Sequence, residues 1–167
     1  MKKNDLLALG KPILLSVITS VDTPFGRVQS RTFDKLLRPF RKFVTGVLIS
    51  SDLPFTLNRF NEIEQIKVLT GLSDYFDQSF GRAFGVVVEE ALVLARAVFV
   101  IDTAGVVQYE EVVPEITNEP DYAAAMAVLE ALLLPHKRRT ARQRPPAARK
   151  RTASQATKKT PAGRRWR

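Results

Sequence analysis

Runs of apolar residues alternate with amphipathic stretches along most of this chain. The segment PILLSVI (12–18) is apolar almost throughout, and VTGVLISSD (44–52) is similar. Runs of this kind are typical of strands that are buried on both faces of a sheet. Between them, apolar residues recur at i, i+3, i+4 and i+7 from Phe33, which is the spacing of one helix face. The pattern therefore predicts a strand, a helix and a second strand in succession.

Two sequence signals predict where the first two helices begin. Thr23 can accept a hydrogen bond from the first turn of a helix, and Pro24 fits the first helical position because its missing N–H is not needed there. By the same reasoning, Asp52 is expected to cap the second helix, with Pro54 in the first turn. Each helix would thus follow directly on a buried strand.

The second half of the chain continues the alternation. We expect a short strand within 66–72, a helical turn or short helix within 74–85, and two strands joined by a tight turn over 91–113. An alanine- and leucine-rich helix follows at 119–134, and Pro135 is expected to end it. The order predicts an α/β fold, in which a mixed sheet is flanked by helices.

Charge divides the chain into two parts. The net charge is +9, but 13 of the 26 Lys and Arg residues lie from residue 136 onward, where there is no acidic residue. The first 135 residues hold the other 13 basic residues against 17 acidic ones, a net charge of −4. The segment 136–167 also lacks an apolar period and cannot bury enough surface to offset chain entropy. We therefore expect a folded domain at 1–135 and a disordered basic tail at 136–167.

Composition excludes several classes of chemistry. There is no cysteine, which excludes disulfides, thiolate nucleophiles, iron–sulfur clusters and cysteine-ligated zinc. The single histidine, His136, lies at the tail boundary, so neither a histidine metal site nor a Ser-His-Asp triad is expected in the domain. No cofactor or metal is predicted. No apolar stretch is long enough to span a membrane, and the N-terminus makes a poor signal peptide, so we expect a cytoplasmic protein.

Four segments together resemble one enzyme family. They are SVDTP (20–24), SSDLPFTLNRF (50–60), LARAVFVID (94–102) and VPEITNEPDYAAAMAVLEAL (113–132). In this order they resemble the thiol peroxidases, which are atypical two-cysteine peroxiredoxins. The resemblance implies a thioredoxin-like fold, a homodimer, and reduction of hydroperoxides by a thiolate. It also implies that the domain is shortened at its N-terminal side, because the family's N-terminal hairpin has no counterpart here.

The resemblance also places the family's active-site residues on this chain. The family's proline is replaced by Thr19, its threonine is retained as Thr23, and its arginine is retained as Arg96. The peroxidatic cysteine position is Gly26, and the resolving cysteine position is Asn61. Peroxide reduction needs a thiolate that becomes a sulfenic acid and a second thiol that condenses with it. Both redox residues are therefore lost.

The retained and lost positions each allow more than one interpretation. Arg96 can face Thr23 in a retained peroxide or anion pocket, or it can be a rim arginine that is paired with an acid. Gly26 can simply be tolerated, at a cost of about 1 kcal/mol relative to alanine in a helix. Asn61 is expected to be a surface residue of a helix.

Two hypotheses of function follow. The first is a pseudo-peroxidase, a protein with the family fold and part of its pocket but with impaired or no peroxidase activity. The alternative is a nucleic-acid-binding protein that uses its tail to neutralise phosphates without sequence preference. In that alternative the domain contributes little, because its net charge is negative. The tail residues proposed for this contact are Lys137, Arg138, Arg139, Arg149, Lys150 and Arg151.

Overall fold

The described part of the chain folds into a five-stranded mixed sheet with helices on both faces, and a separate two-stranded sheet. The computed structural model describes residues 10–142. Its strands are β1 (Ile13–Val17), β2 (Thr45–Ser50), β3 (Leu69–Ser73), β4 (Val87–Val88), β5 (Val93–Leu94), β6 (Ala97–Ile101) and β7 (Val107–Val112). Its helices are α1 (Pro24–Leu37), which continues into a 3₁₀ turn (Arg38–Phe40), α2 (Pro54–Ile63), α3 (Ser79–Phe84) and α4 (Tyr122–Arg142).

The main sheet has five strands in the order β3-β2-β1-β6-β7. β1 pairs in parallel with β2, as does β2 with β3, whereas β6 pairs antiparallel with both β1 and β7. The two central apolar runs therefore form neighbouring buried strands, as the sequence predicts. The mixed α/β architecture, with a sheet flanked by helices, is confirmed.

The topology places the start of α1 and the end of β7 on the same side of the sheet. Because β1 and β2 are parallel, α1 starts at the carboxyl end of β1 and runs back along the sheet. Val17 at the end of β1 and Val112 at the end of β7 both pair with Ala97, so both strands end at the same side of the sheet. α4 follows β7, and its first residue, Tyr122, contacts Phe33 of α1.

Each face of the sheet has its own apolar core. On one face, α1, α2 and α4 contribute buried residues that include Phe33, Leu57 and Leu129. On the other face, Leu15 and Phe99 pack with Leu94 of the short β4–β5 sheet and with the aromatic rings of α3. Coverage on both faces explains why β1, β2 and β6 are apolar at nearly every position.

The predicted hairpin is confirmed, but its first strand is shorter than the apolar run. β6 and β7 pair across a turn in which Asp102 Oδ1 accepts hydrogen bonds from the backbone N–H of Ala104 and Val106. The preceding residues Val93–Leu94 leave this sheet and pair instead with Val87–Val88. Strands of two residues have no detectable period, so the sequence does not predict them.

The capping role predicted for Asp52 is wrong. Leu53 is the N-cap of α2 and makes no side-chain hydrogen bond there. The Asp52 carboxylate instead accepts hydrogen bonds from Ser20 Oγ, from the backbone N–H of Val21 and from Ser50 Oγ, each at 2.8 Å. Three donors from the ends of two strands thus take the oxygens that a cap would have offered to the helix.

The end predicted for the last helix is also wrong. α4 continues through Pro135 to Arg142, the last residue that the structure describes. Proline removes one backbone hydrogen bond from a helix, but the lysine, arginine, alanine and leucine residues around it are strong helix formers. Lys137, Arg138 and Arg139 therefore lie on this helix. The other predicted contact residues of the tail lie outside the described residues: Arg149, Lys150 and Arg151.

Candidate functional site

The corner between β1 and α1 is built by one threonine side chain. Thr23 has extended backbone angles, φ −81° and ψ 145°, and is the N-cap of α1 as predicted. Its Oγ1 accepts a hydrogen bond from the backbone N–H of Gly26 at 3.0 Å, and its hydroxyl donates to the carbonyl of Ser20 at 2.8 Å. Thr23 therefore ties the first turn of the helix to the loop that precedes it.

Gly26 leaves no room for a side chain. Its backbone is buried, and a Cβ atom built on it would overlap the carbonyl oxygen of Ser20 and lie 2.9 Å from Thr23 Oγ1. The overlapping atom belongs to the backbone, so it cannot be displaced by a side-chain rotation. The expectation that glycine is merely tolerated here is wrong, because this corner requires it.

The Ser20 carbonyl is held in place by a network around Asp52. Ser20 Oγ donates to Asp52 and accepts a hydrogen bond from the backbone N–H of Asp22 at 3.1 Å. Asp52 also binds the backbone N–H of Val21. Since Ser20 is fixed on both sides, its carbonyl blocks the space for a Cβ atom at residue 26, the position to which the resemblance assigns the peroxidatic cysteine.

Arg96 lies just before β6, buried beneath the start of α4. Its Nε donates to Gln29 Oε1 at 2.9 Å, and its Nη1 donates to the carbonyls of Ile116, at 2.8 Å, and of Asn118. Its Nη2 lies 3.4 Å from Glu119 Oε1. The side chain is only 1% exposed, so these groups replace the water that the guanidinium loses on burial.

These partners combine the two interpretations of Arg96. The residue is paired with an acid, but it is buried rather than on a rim. The ring of Phe25 covers the guanidinium, with 5.8 Å between the Cζ atom and the ring centroid. Among the described residues no hydrogen bond joins Arg96 to Thr23. An anion pocket that both residues share stays a prediction.

Gln29 is a site residue that the sequence reasoning missed. It is fully buried, and its Nε2 donates to Ser16 Oγ and to the carbonyl of Val17, both at 3.1 Å, while its Oε1 accepts from Arg96. A signal for it exists in the sequence. Gln29 precedes Phe33 by four residues, so it is a polar residue on the apolar face of α1.

The polar chain continues from Arg96 into α4. The hydroxyl of Tyr122 donates to Glu119, and the Tyr122 ring meets Phe33 edge to face with 4.9 Å between centroids. Burial and the bond to the Glu119 carboxylate raise the pKa of Tyr122 well above its usual value. A continuous set of polar contacts therefore links β1, α1, Arg96 and the first turn of α4.

The remaining two family positions each carry a buried oxygen without a partner. Thr19 Oγ1 and Asn61 Oδ1 have no hydrogen-bond partner among the described residues. Asn61 lies on α2, as expected, but its amide points inward toward β3, 3.2 Å from where a Cβ of Gly71 would be. Asn61 as a whole is half-buried on the surface of the helix. Unpaired buried oxygens are rare, because each loses its hydration without compensation.

The described part of the chain offers no obvious metal site. Within it, no group of three or more His, Cys, Asp or Glu side chains could hold a metal ion. None of its helices is both long and apolar enough to cross a membrane.

The mixed sheet flanked by helices agrees with the fold that the resemblance to the thiol peroxidases implies. The redoxin family profile matches residues 4–126. The thiol peroxidase of Streptococcus sanguinis is 42% identical over 123 residues, which are 74% of this chain and 75% of that protein. That of Bacillus subtilis is 41% identical over 124 residues, 74% of each. A peroxiredoxin-like protein from Aquifex aeolicus superposes with a TM-score of 0.70 at 32% identity over 74% of this chain and 72% of that one. The chain belongs to the redoxin family, and within it to the thiol peroxidases.

Proposed function

We propose that this chain is a pseudo-peroxidase, a member of the thiol peroxidase family that does not reduce peroxides by the family's thiol reaction. One observation carries the proposal. At the peroxidatic position stands Gly26, and the Ser20 carbonyl occupies the space that the first atom of a cysteine side chain would need. The position therefore lacks a thiol and also lacks the space for a side chain.

The chemistry supports the same conclusion. In the family reaction a thiolate attacks one peroxide oxygen and becomes a sulfenic acid, and a second thiol then displaces water from it to form a disulfide. The whole chain contains no cysteine. The hydroxyl of Thr23 and the guanidinium of Arg96 can orient a peroxide or stabilise charge, but neither can be oxidised and reduced in this cycle.

The test is hydroperoxide consumption with a thioredoxin reducing system. We expect no turnover by the parent chain. The informative variant combines Gly26→Cys with Asn61→Cys, and its matched control combines Gly26→Ser with Asn61→Ser, which adds side chains of similar size without a thiol. The serine variant is the baseline for the cysteine variant. Thiol-dependent turnover by the purified parent, above the rate without this protein, would refute the proposal.

The revertant separates the two lesions. If it turns over peroxide, the corner can open around a cysteine, and the missing thiols alone account for the inactivity. If it folds but stays inactive, the closed position of Ser20 is a second lesion. Circular dichroism of each variant establishes which of these readings applies, because an unfolded revertant would show the steric conflict directly.

We also propose that the protein forms a homodimer, as the family resemblance implies. The support is an exposed cleft of about 370 Å³ in which Tyr75, Phe76 and Leu92 lie beside four polar or charged residues: Ser51, Asp77, Gln78 and Arg82. Phe76 is 94% exposed, which is unusual for a side chain of this size in a monomer. Gln78 and Leu92 line the same cleft with φ near +50°, a strained conformation for both residues.

Two further expectations stay predictions. Nucleic-acid binding through the tail concerns residues that mostly lie outside the described range. A cytoplasmic location would be tested by fractionating the source cells.

A further inference from the structure

The basic residues of the folded part are concentrated on one helix. Between residues 10 and 134 there are 11 Lys and Arg residues, and six of them lie between residues 27 and 42. We call this surface the α1 basic face. All its members are exposed: Arg27, Arg31, Lys35, Arg38, Arg41 and Lys42. The negative net charge of the domain therefore hides a strongly positive surface.

Helical spacing aligns these side chains. Successive members lie three or four residues apart from Arg27 to Arg38, with Lys42 four residues further on, so they follow one side of α1 and its extension. The row is roughly 20 Å long at the helical rise of about 1.5 Å per residue. The one acid in the stretch, Asp34, is buried and accepts hydrogen bonds from the backbone of Lys67 and Val68. The solvent side of the row therefore carries no carboxylate from this segment.

Only part of this positive charge is neutralised by the protein. Arg27 and Arg31 pair with Glu64, and Arg38 pairs with Asp34. Lys35, Arg41 and Lys42 form no ion pair with a described acidic residue; the described salt bridges of the chain lie elsewhere. Like charges four residues apart repel each other along a helix, so the arrangement is unfavourable for the isolated protein. A polyanion would turn this repulsion into attraction.

We propose that the α1 basic face binds the phosphate backbone of double-stranded nucleic acid. A duplex presents about one phosphate per 1.7 Å of its axis, counted over both strands, so a row of this length spans about a dozen phosphates and faces those on the near side. The row carries no side chain pattern for reading bases, which predicts binding without sequence preference. A membrane fits less well, because the apolar side of α1, with Phe33 and Leu37, is fully buried and cannot insert into lipid.

The test compares two charge-matched double variants of the full chain. One carries Lys35→Gln and Lys42→Gln on the α1 basic face. The control carries Arg59→Gln and Arg82→Gln, which are exposed and lie on α2 and α3. Affinity for a fluorescent 25-base-pair duplex is measured between about 50 and 200 mM salt, where counterion release dominates. The Gln variants leave the pairs of Glu64 and Asp34 intact, so we expect both proteins to fold.

The expected result is a change in the salt dependence of the first variant only. The slope of log K against log salt is negative, and each lost phosphate contact makes it shallower by about 0.9. The magnitude of the slope should therefore decrease by about 1.8. The control should keep the parent slope. Equal slopes for the two variants, or a parent that does not bind the duplex at low salt, would overturn the proposal. The proposal would also be overturned if Lys35→Gln with Lys42→Gln weakened binding to vesicles of anionic phospholipid but not binding to the duplex.

A second measurement needs no variant. Acetylation of lysine side chains in the full chain, followed by mass spectrometry, reports which amines the duplex covers. Lys35 and Lys42 should react more slowly with the duplex present, and high salt should restore their reactivity. Unchanged reactivity of both amines in the bound protein would show that the duplex sits elsewhere.

Discussion

At the scale of single residues, Gly26 decides how the corner is closed. In an ordinary helix, replacing glycine by alanine stabilises a protein by about 1 kcal/mol. Here the new Cβ overlaps the Ser20 carbonyl, so we expect Gly26→Ala to destabilise the fold by about 2–3 kcal/mol, as overpacking does. Urea unfolding followed by circular dichroism measures the difference in the free energy of unfolding between the parent and Gly26→Ala. Its sign distinguishes the steric overlap from the ordinary helical gain.

The control for this prediction is Gly71→Ala. A Cβ at Gly71 would meet the flexible amide of Asn61 at 3.2 Å and Leu57 Cβ at 3.4 Å, so a small adjustment accommodates it. We expect a smaller loss of stability than at Gly26. A stabilised Gly26→Ala variant would mean that the corner opens freely, and the steric part of the pseudo-peroxidase proposal would be wrong.

Gln29 accepts a hydrogen bond from the buried Arg96, so replacing Gln29 should destabilise the fold at that contact. Gln29→Leu keeps the volume of the side chain but leaves Arg96 Nε and Ser16 Oγ without this partner inside the core. We expect a loss of about 2–3 kcal/mol in the free energy of unfolding, as for hydrogen bonds to buried charged groups.

A double-mutant cycle with Arg96→Met tests whether the loss arises at that contact. If it does, Gln29→Leu should lower the stability much less when the arginine is already gone. Additive losses from the two substitutions would show that Gln29 acts through Ser16 and Val17 instead.

At the scale of elements, Asp34 joins α1 to the loop before β3, and this link should depend on pH. Burial alone would raise the pKa of Asp34, but hydrogen bonds from the backbone of Val68 and Lys67 and from Arg38 outweigh it and lower the pKa. A carboxyl whose pKa is lowered by folding stabilises the folded state above its unfolded pKa of about 3.9. That stabilisation is lost as the pH falls through the folded value.

The measurement is the free energy of unfolding of the parent and of Asp34→Asn between pH 7 and pH 3. The parent should be the more stable protein at neutral pH, and the difference should shrink below about pH 4. Other carboxyl groups titrate in both proteins and cancel in the difference. A difference that does not change with pH would mean that the Asp34 charge is not what the loop requires.

The elements also show how far the sequence can predict this fold. β1 and β2 could be predicted because burial on both faces makes them continuously apolar, and α1 because Thr23 and Pro24 mark its start. The short β4–β5 sheet could not, since two residues carry no period. Asp52 was assigned to the wrong partner because its sequence neighbours suggest a cap, whereas Ser20 and Val21 reach it only in three dimensions.

The family resemblance assigns the candidate site to positions along the chain but does not give its geometry. The family pattern locates Thr23, Gly26 and Arg96 along the chain. It does not show that the Ser20 carbonyl fills the place of a side chain at 26, because that overlap depends on the path of the loop. Nor does a negative net charge for the domain reveal a positive helix, since the charge of a chain says nothing of its distribution over a surface.

At the scale of the whole molecule, the exposed cleft around Phe76 should decide the oligomeric state. If a second copy covers it, Phe76→Ser removes a large apolar contact from the interface. Burying a phenylalanine is worth about 1.5–3 kcal/mol, and the substitution removes two copies from each dimer, so the dimer dissociation constant should rise by about 100-fold or more. Sedimentation equilibrium over a range of concentrations measures this constant.

Phe55→Ser is the matched control, because Phe55 is also strongly exposed but does not line the cleft. We expect it to leave the dissociation constant unchanged. A parent that stays monomeric at high concentration would refute the homodimer, and equal effects of the two substitutions would place the interface elsewhere. The α1 basic face lies on α1 and the turn that follows it, whereas Phe76 lies in the loop between β3 and α3. Phe76→Ser should therefore leave the salt dependence of duplex binding at the parent slope, so that assembly and duplex binding can be measured independently.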